Sequence, residues 1–380
     1  MENFTSCNPT TIHFGKGVLS NLGPTLNLFG NRVLLVSGQS SIKRSGLHGR
    51  ILKYLNDSGL TVFEYDGICS NPLIEDVEAA AVVGRKNQVD MVLAVGGGSV
   101  VDSAKVIALT IPVSHPAWDF FAGKVTPNQG LPIIAVLTLA ATGSEMNPYA
   151  VVSNREVKLK AAVSSPLSYP KHSFLDPELT LTVPQDYTAY GIADLIAHCM
   201  EAWFGAGDCP MSDKLILGII KEAMEAGPPL LTDLQNYDLR ARIMYAATLA
   251  LNGITMQGKV SGDWGVHASG HILSLLYDVP HGASLTIVYP AWMRLFKDQA
   301  GDRIAKLGSG MSGKMLDADQ AIDWIEDFFL SLDCPVKLRD LNVPNPSVDD
   351  IVEAMKIGKV NGMNMKLAPE YYPKLVELYY

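Results

Sequence analysis

Met91-Val-Leu-Ala-Val-Gly-Gly-Gly-Ser-Val-Val-Asp102 decides the architecture of this chain. Its five-residue apolar run, Met91 to Val95, has no polar alternation and so no solvent-facing side, as in a strand covered on both faces. Gly96, Gly97 and Gly98 then let the chain turn without Cβ hindrance, and residues 100–110 resume with helical spacing. A strand that passes through glycines into a helix leaves free amides at the helix start, where a pyrophosphate can approach the backbone. The spacing is not G-x-G-x-x-G, because Val101 stands at the third glycine position. Nor is it a Walker A loop, because no G-K-[ST] ending follows.

Neighbouring segments repeat this alternation. Arg32-Val-Leu-Leu-Val36, Thr61-Val-Phe-Glu-Tyr65, Pro132-Ile-Ile-Ala-Val-Leu137 and Ser173-Phe-Leu175 read as further strands. Residues 47–55 and 74–87, the latter entered from Asn71-Pro72, carry helical spacing. Val151-Val152 and residues 159–163 flank the polar turn Ser153-Asn-Arg-Glu156 and predict a short hairpin arm. Strand–helix alternation predicts crossovers and a mostly parallel, Rossmann-like sheet. From Asp186 the pattern changes. Residues 186–204, 212–226, 238–257, 264–276, 282–296, 317–331 and 348–358 read as helices, with breaks at Gly227-Pro-Pro229 and Asn342-Val-Pro-Asn-Pro346. The expected class is α/β plus all-α, with residues 1–182 a dinucleotide-binding domain and 183–380 a helical metal-binding and substrate domain.

Length and composition set outer bounds. A chain of 380 residues suits two domains, and 48% hydrophobic with 18% charged residues is a globular mix. The net charge of −9 argues against a nucleic-acid partner. Cys7, Cys69, Cys199, Cys209 and Cys334 are scattered with no CxxC, which supports neither a zinc ribbon nor a disulfide framework and suits a reducing compartment. Met1-Glu-Asn-Phe-Thr-Ser6 lacks the basic and apolar regions of a signal peptide, and no apolar run is long enough to span a membrane. A soluble, cytoplasmic protein with no membrane association is expected.

The helical half concentrates metal-ligating side chains. Asp194 and His198 are four apart in an apolar context, so a helix puts both on one inward face. A carboxylate there is costly unless it is paired, hydrogen-bonded or metal-bound. His267 and His271 repeat the four-residue step, and His281 follows in Pro-His-Gly. A lone histidine on such a face is more often a satisfied core residue, so the argument rests on number. Any four of these groups suffice for a mixed nitrogen and oxygen site that accepts Fe²⁺, Zn²⁺, Co²⁺, Mn²⁺ or Ni²⁺. An open position would then take a substrate oxygen, as on an alcohol or aldehyde. At the first βα turn, Gln39 stands where an acidic residue would hold a ribose 2′-hydroxyl and repel a 2′-phosphate; with Ser40, Ser41 and Lys43 beside it, the turn favours NADP over NAD.

Together these residues resemble the iron-containing (group III) alcohol dehydrogenase family. The resemblance covers nearly the whole chain and rests on four motifs in order: Gly96-Gly-Gly-Ser-Val-Val-Asp102, Ala141-Thr-Gly-Ser-Glu-Met-Asn147, Asp194-x-x-x-His198, and His267-x-x-x-His271 followed after nine residues by His281-Gly282. Within the family the chain looks most like the NADP(H)-dependent butanol dehydrogenases and the broad aldehyde reductases. The resemblance implies a Rossmann-like domain, a helical domain of dehydroquinate synthase-like architecture, an active site in the cleft between them, and a homodimer. It implies metal ligands at Asp194, His198, His267 and His281, with Fe²⁺ first and Zn²⁺ next. His271 matches a position near substrate and nicotinamide and is the candidate catalytic proton relay. Cofactor contacts carry over to Gly38, Gln39 and Ser40 at the adenosine ribose, and to Asn71, Gly97, Gly98 and Ser99 at the pyrophosphate. Thr138, Thr142, Ser144, Lys160 and Leu179 follow, with Asp102 on the glycine-led helix. Tyr149 stands where several relatives place a smaller polar residue near the nicotinamide ribose.

The implied reaction is reversible hydride transfer between NADP(H), or NAD(H), and a primary alcohol or aldehyde. Phe120, Phe121, Trp264 and Tyr277 suggest an aromatic wall for apolar substrates. A polyol dehydrogenase of the glycerol or lactaldehyde/propanediol type shares the architecture, as does a dehydroquinate-synthase-like lyase. The lyase needs basic residues for a phosphorylated substrate, and residues 252–290 offer only Lys259. A non-catalytic metal- or nucleotide-binding relative is the reading outside enzymology.

Overall fold

In the computed structural model, which describes residues 1–380, the apolar runs expected as sheet strands lie side by side in one parallel sheet. The strands are β1 (Thr11–Phe14), β2 (Arg32–Gly38), β3 (Thr61–Ile68), β4 (Met91–Gly96), β5 (Ile133–Leu137), β6 (Tyr149–Asn154), β7 (Leu159–Ser164) and β8 (His172–Leu175). Six of them run in the order β1-β8-β5-β4-β2-β3, every pairing parallel. β6 and β7 form the separate antiparallel arm. The helices of this half are α1 (Leu22–Leu26), α2 (Ser41–Arg44), α3 (Leu47–Asp57), α4 (Ile74–Lys86), α5 (Gly98–Thr110) and α6 (Trp118–Phe121).

The chain packs into two units. One comprises Cys7–Val183 with Asn236–Met244; the other comprises Met1–Ser6, Pro184–Gln235 and Tyr245–Tyr380. In the sheet unit, alternate residues of each central strand feed different cores. Leu34, Val36, Val92 and Ala94 join the residues of α4 and α5, while Val33, Leu35, Leu93 and Val95 join those of α1 and α3. Burial on both faces is why these strands are apolar without alternation, each Val or Leu contributing about 1.5–3 kcal/mol of transfer free energy. β1 was not legible as a strand: Thr11-Ile-His-Phe14 is a half-exposed edge, paired only to β8.

The connection from β2 to β3 leads outward on one side, and the return to β4 lands on the other side of β2. The strand order therefore reverses between β2 and β4, where open α/β sheets offer a crevice at the strands' carboxyl ends. Ser37 is level with Val95, and Gly96 with Leu137, so the ends of β2, β4 and β5 reach that edge together.

The other unit is helical: α7 (Gln185–Phe204), α8 (Pro210–Thr232), α9 (Tyr237–Ala250), α10 (Gly265–Tyr277), α11 (His281–Leu295), α12 (Lys297–Ser312), α13 (Ala318–Ser331), α14 (Val348–Ile357) and α15 (Tyr372–Tyr379), with the first turns of α9 belonging to the sheet unit. The expected break at Gly227-Pro-Pro229 is corrected, because α8 continues through both prolines to Thr232. They fall in its final turns, where a lost amide donor disturbs only the end of the helix. α9 stops at Ala250 rather than 257, as Gly253 turns left-handed (φ 101°) into a short 3₁₀ turn, Ile254–Met256. α12 was not among the expected helices. Its Gly308 permits close packing on α13, where a Cβ would come within 2.4 Å of the Ala321 Cβ. No helix is long and apolar enough to cross a membrane.

Candidate metal centre and dinucleotide site

The glycine-led edge of the sheet gathers most of the expected cofactor residues. Gly38 closes β2, followed by exposed Gln39 and by Ser40 at the start of α2. Gly97 is the extended residue before α5, and Gly98 and Ser99 form its first turn, so the amides at that helix start face the carboxyl ends of the strands. The Thr138 amide donates to the Gly96 carbonyl at 3.0 Å, joining β5 to the same edge. Asn71 takes a left-handed conformation (φ 53°) and its side-chain oxygen accepts from Lys160 Nζ at 2.8 Å. Leu179, by contrast, is part of the core packed beneath β2, β4 and β5.

Below this surface lies a polar knot. The Ser144 hydroxyl donates to Asp102 Oδ1 at 2.5 Å and accepts from Lys105 Nζ at 2.7 Å, while the Val151 amide donates to Asp102 Oδ2 at 2.9 Å. Lys105 also donates to Asn147 Oδ1 at 3.1 Å and to the Tyr149 carbonyl at 2.7 Å. Thr142 Oγ1 accepts from the Ser144 amide at 3.2 Å. Asp102 and Ser144 thus commit polar atoms to one another, to Lys105 and to the segment 142–151. The sequence reading missed Lys105, whose signal was a lone lysine in an otherwise apolar helix. Burial lowers its pKa to about 8, against the opposing charges of Asp102 and Glu145.

The residues expected as metal ligands come from three helices of the other unit. α7 carries Asp194, His198 and Glu201 on one stripe, all under 5% exposed. α10 carries His267 and His271, and α11 opens on His281. A Cβ at Gly282 would come within 2.1 Å of the Tyr190 carbonyl oxygen, so only glycine lets the start of α11 lie this close to α7. That contact brings His281 to Asp194.

Asp194 Oδ1 stands 3.6 Å from His198 Nε2, 3.6 Å from His281 Nε2 and 3.9 Å from His267 Nε2. These separations are too long for hydrogen bonds. Ligands held about 2.1 Å from one ion at tetrahedral angles stand about 3.4 Å apart. Asp194, His267 and His281 offer ligand atoms all within 4.8 Å of one another, and His198 approaches the same carboxylate oxygen from α7 itself. Burial, with His267 adjacent, holds the His198 imidazole well below its ordinary pKa and so in the neutral form that ligates. One buried carboxylate with three imidazoles fits a divalent cation of the iron or zinc type. His271 is partly exposed and stands beside His281, with ring centroids 5.4 Å apart.

A second carboxylate was missed. Glu201 accepts from the Trp264 amide at 2.5 Å, from the His267 amide at 3.1 Å and from His267 Nδ1 at 2.8 Å. Burial pushes its carboxyl up to about 8, against these backbone donors. Its signal was the seven-residue step from Asp194, which continues the stripe of α7. Trp264 is left-handed (φ 65°, ψ 6°), a conformation that costs a bulky residue about 1–3 kcal/mol. Its ring meets His267 edge-on at 5.4 Å. Of the four aromatics suggested as a wall, Trp264 packs against these imidazoles. Phe120 is in the sheet-unit core, Phe121 stacks on Trp118, and the Tyr277 hydroxyl accepts from the Ser347 amide.

Known proteins carry the same architecture. Residues 9–177 match the iron-containing alcohol dehydrogenase family, and residues 188–367 match the C-terminal part of the Fe-containing alcohol dehydrogenase family. The chain therefore belongs to the iron-containing alcohol dehydrogenases. It is 41% identical to a probable NADH-dependent butanol dehydrogenase 2 of Bacillus subtilis, over 93% of this chain and 92% of that one. It is 34% identical to the NADPH-dependent aldehyde reductase YqhD of Escherichia coli, over 94% and 93% of the two chains. The crystal structure of NADH-dependent butanol dehydrogenase A from Thermotoga maritima superposes with a TM-score of 0.96 at 35% identity, covering 100% of this chain and 99% of that chain.

Proposed function

We propose that this enzyme interconverts short primary alcohols and their aldehydes with NADP(H), using a divalent cation held by Asp194, His198, His267 and His281. The observation that carries the reading is the single buried carboxylate oxygen faced by three imidazole Nε2 atoms at 3.6–3.9 Å. When bound, the cation supplies Lewis-acid polarisation of the substrate oxygen, and the dinucleotide supplies or accepts the hydride. The protein residues provide position. α7 and α11 hold Asp194 and His281 together through the glycine contact, and the amides at the start of α5 bind the pyrophosphate. His271, partly exposed beside His281, exchanges the hydroxyl proton with solvent, since imidazole both donates and accepts near neutral pH. Butanol and butanal are the first substrates to try, on the strength of the named relatives.

Gln39 supports NADP, because no carboxylate at that position repels a 2′-phosphate. One observation favours NAD as a second reading: Lys43, the cation next to this turn, is paired with Asp66 of the adjacent strand β3. The five free thiols suit a cytoplasmic enzyme, and a homodimer is the expected assembly. The test is nicotinamide absorbance with butanal and each reduced cofactor, beside metal analysis of the freshly purified protein. One equivalent of iron or zinc with turnover supports the reading. Absence of turnover with every short aldehyde and either metal sinks it.

A further inference from the structure

We propose that Glu201 is the positioning residue of the metal site: its carboxylate fixes His267 as the Nδ1–H tautomer and so presents the Nε2 lone pair to the cation. This rests on the metal-site reading above. Three donors converge on the one carboxylate, and two of them belong to His267, its ring Nδ1–H at 2.8 Å and its amide at 3.1 Å. The third is the amide of left-handed Trp264, at 2.5 Å. Glu201 is 1% exposed, so water cannot replace it.

The geometry assigns the two ring nitrogens of His267 to different tasks. A carboxylate 2.8 Å from Nδ1 accepts a proton carried there, which leaves Nε2 unprotonated and turned toward Asp194 Oδ1, 3.9 Å away. A carboxylate partner also raises the basicity of a ligating imidazole and restrains its ring. His198 provides a contrast within the same site, since its buried Nδ1 meets no hydrogen-bond partner. Of these two histidines, the one entering from α10 is therefore steered by a carboxyl oxygen on α7. Glu201 also binds the two amides that shape the entry to α10, coupling the ring's orientation to the strained turn before it.

The test uses full-length apoprotein titrated with Co²⁺ as a spectroscopic probe, comparing wild type with Glu201→Gln and Glu201→Ala. Glu201→Ala should bind Co²⁺ about 10–100-fold more weakly with an altered visible band. Glu201→Gln keeps an acceptor for Nδ1–H but turns an amide N–H toward the Trp264 amide, so it should fall between. Wild-type affinity and band shape in both variants would overturn the proposal while leaving the metal site standing. A wild-type protein that takes up no Co²⁺ would overturn the metal reading and this proposal with it. Should the variants fail to fold, histidine-selective ¹⁵N spectra of Zn²⁺-loaded wild type decide the matter. An exchange-protected Nδ1–H on His267 is expected, and an Nε2–H tautomer overturns the assignment.

Discussion

His267 is held by Glu201 at its ring Nδ1 and at its backbone amide, which makes it the least replaceable of the proposed ligands. His267→Ala removes one donor to the cation and leaves the Glu201 carboxylate buried with one hydrogen bond fewer. Turnover should fall by more than about a hundredfold, the upper end of what loss of an orienting partner alone costs, with metal content falling in parallel. Metal analysis beside the butanal assay checks this, and full metal retention would remove His267 from the ligand set. At the other unit, Gln39 is exposed and free of packing duties. Gln39→Asp should lower the NADP-to-NAD ratio of kcat/KM by about tenfold, or about 1.4 kcal/mol; an unchanged ratio would place the selectivity elsewhere, Asp66 being the next residue to change. The histidines and Asp194 were legible because metal-ligating side chains on apolar faces are chemically conspicuous. Glu201 was not, since a lone glutamate near the end of a helix reads as solvated until the fold buries it.

At the scale of elements, strands and long helices were readable because burial on two faces imposes an unbroken apolar run, and burial on one face imposes a helical stripe. Short edge pieces such as β1 lack that signature. α12 carries three glycines, of which Gly308 serves packing on α13, and the prolines of α8 misled because their position near its end makes them tolerable. Gly282 likewise serves packing, through the contact between α11 and α7. Gly282→Ala should displace the start of α11, weaken metal binding at least tenfold and lower activity likewise, while circular dichroism stays helical. Unchanged metal affinity would show that the contact can relax. A second cross-element device joins α8 to α12. Asp213 accepts from Arg303 Nη1 at 2.6 Å and from Lys259 Nζ at 3.0 Å. Burial raises its pKa, but these bonds outweigh burial and hold the carboxyl well below its usual range. The depressed pKa means that the stabilisation is complete above the ordinary carboxylate value near pH ~4 and is lost as pH falls toward the lowered one. Asp213→Asn should therefore cost about 1–3 kcal/mol at pH 7, since Arg303 and Lys306 are partly solvent-screened, with the deficit relative to wild type shrinking below about pH 4. Urea unfolding at the two pH values checks the sign; a deficit that grows on acidification would refute it.

Over the whole molecule, each unit has the means to form one kind of site. The sheet unit has a strand-order reversal with helix-start amides at its edge, and the helical unit has a buried carboxylate oxygen with three imidazole nitrogens 3.6–3.9 Å away. The second arrangement carries an energetic consequence for the entire chain. Burying the Asp194 carboxylate among imidazoles costs desolvation that the unfolded chain escapes. A cation that binds only the folded form repays that cost and shifts the unfolding equilibrium by RT ln(1 + [M]/Kd). With free metal at a thousand times Kd, the gain is about 4.1 kcal/mol. At roughly 2–4 °C per kcal/mol for a domain of this size, removal by a chelator should lower Tm by about 8–16 °C. Readdition of Fe²⁺ or Zn²⁺ should restore it, whereas Mg²⁺, which favours oxygen ligands and keeps its waters, should not. Dinucleotide binding followed by nicotinamide fluorescence should survive chelation, because its backbone donors at α5 do not involve the four ligands. Scanning calorimetry of holo, chelated and reconstituted protein measures the shift. An identical Tm in all three forms would mean that the four residues tolerate one another without an ion.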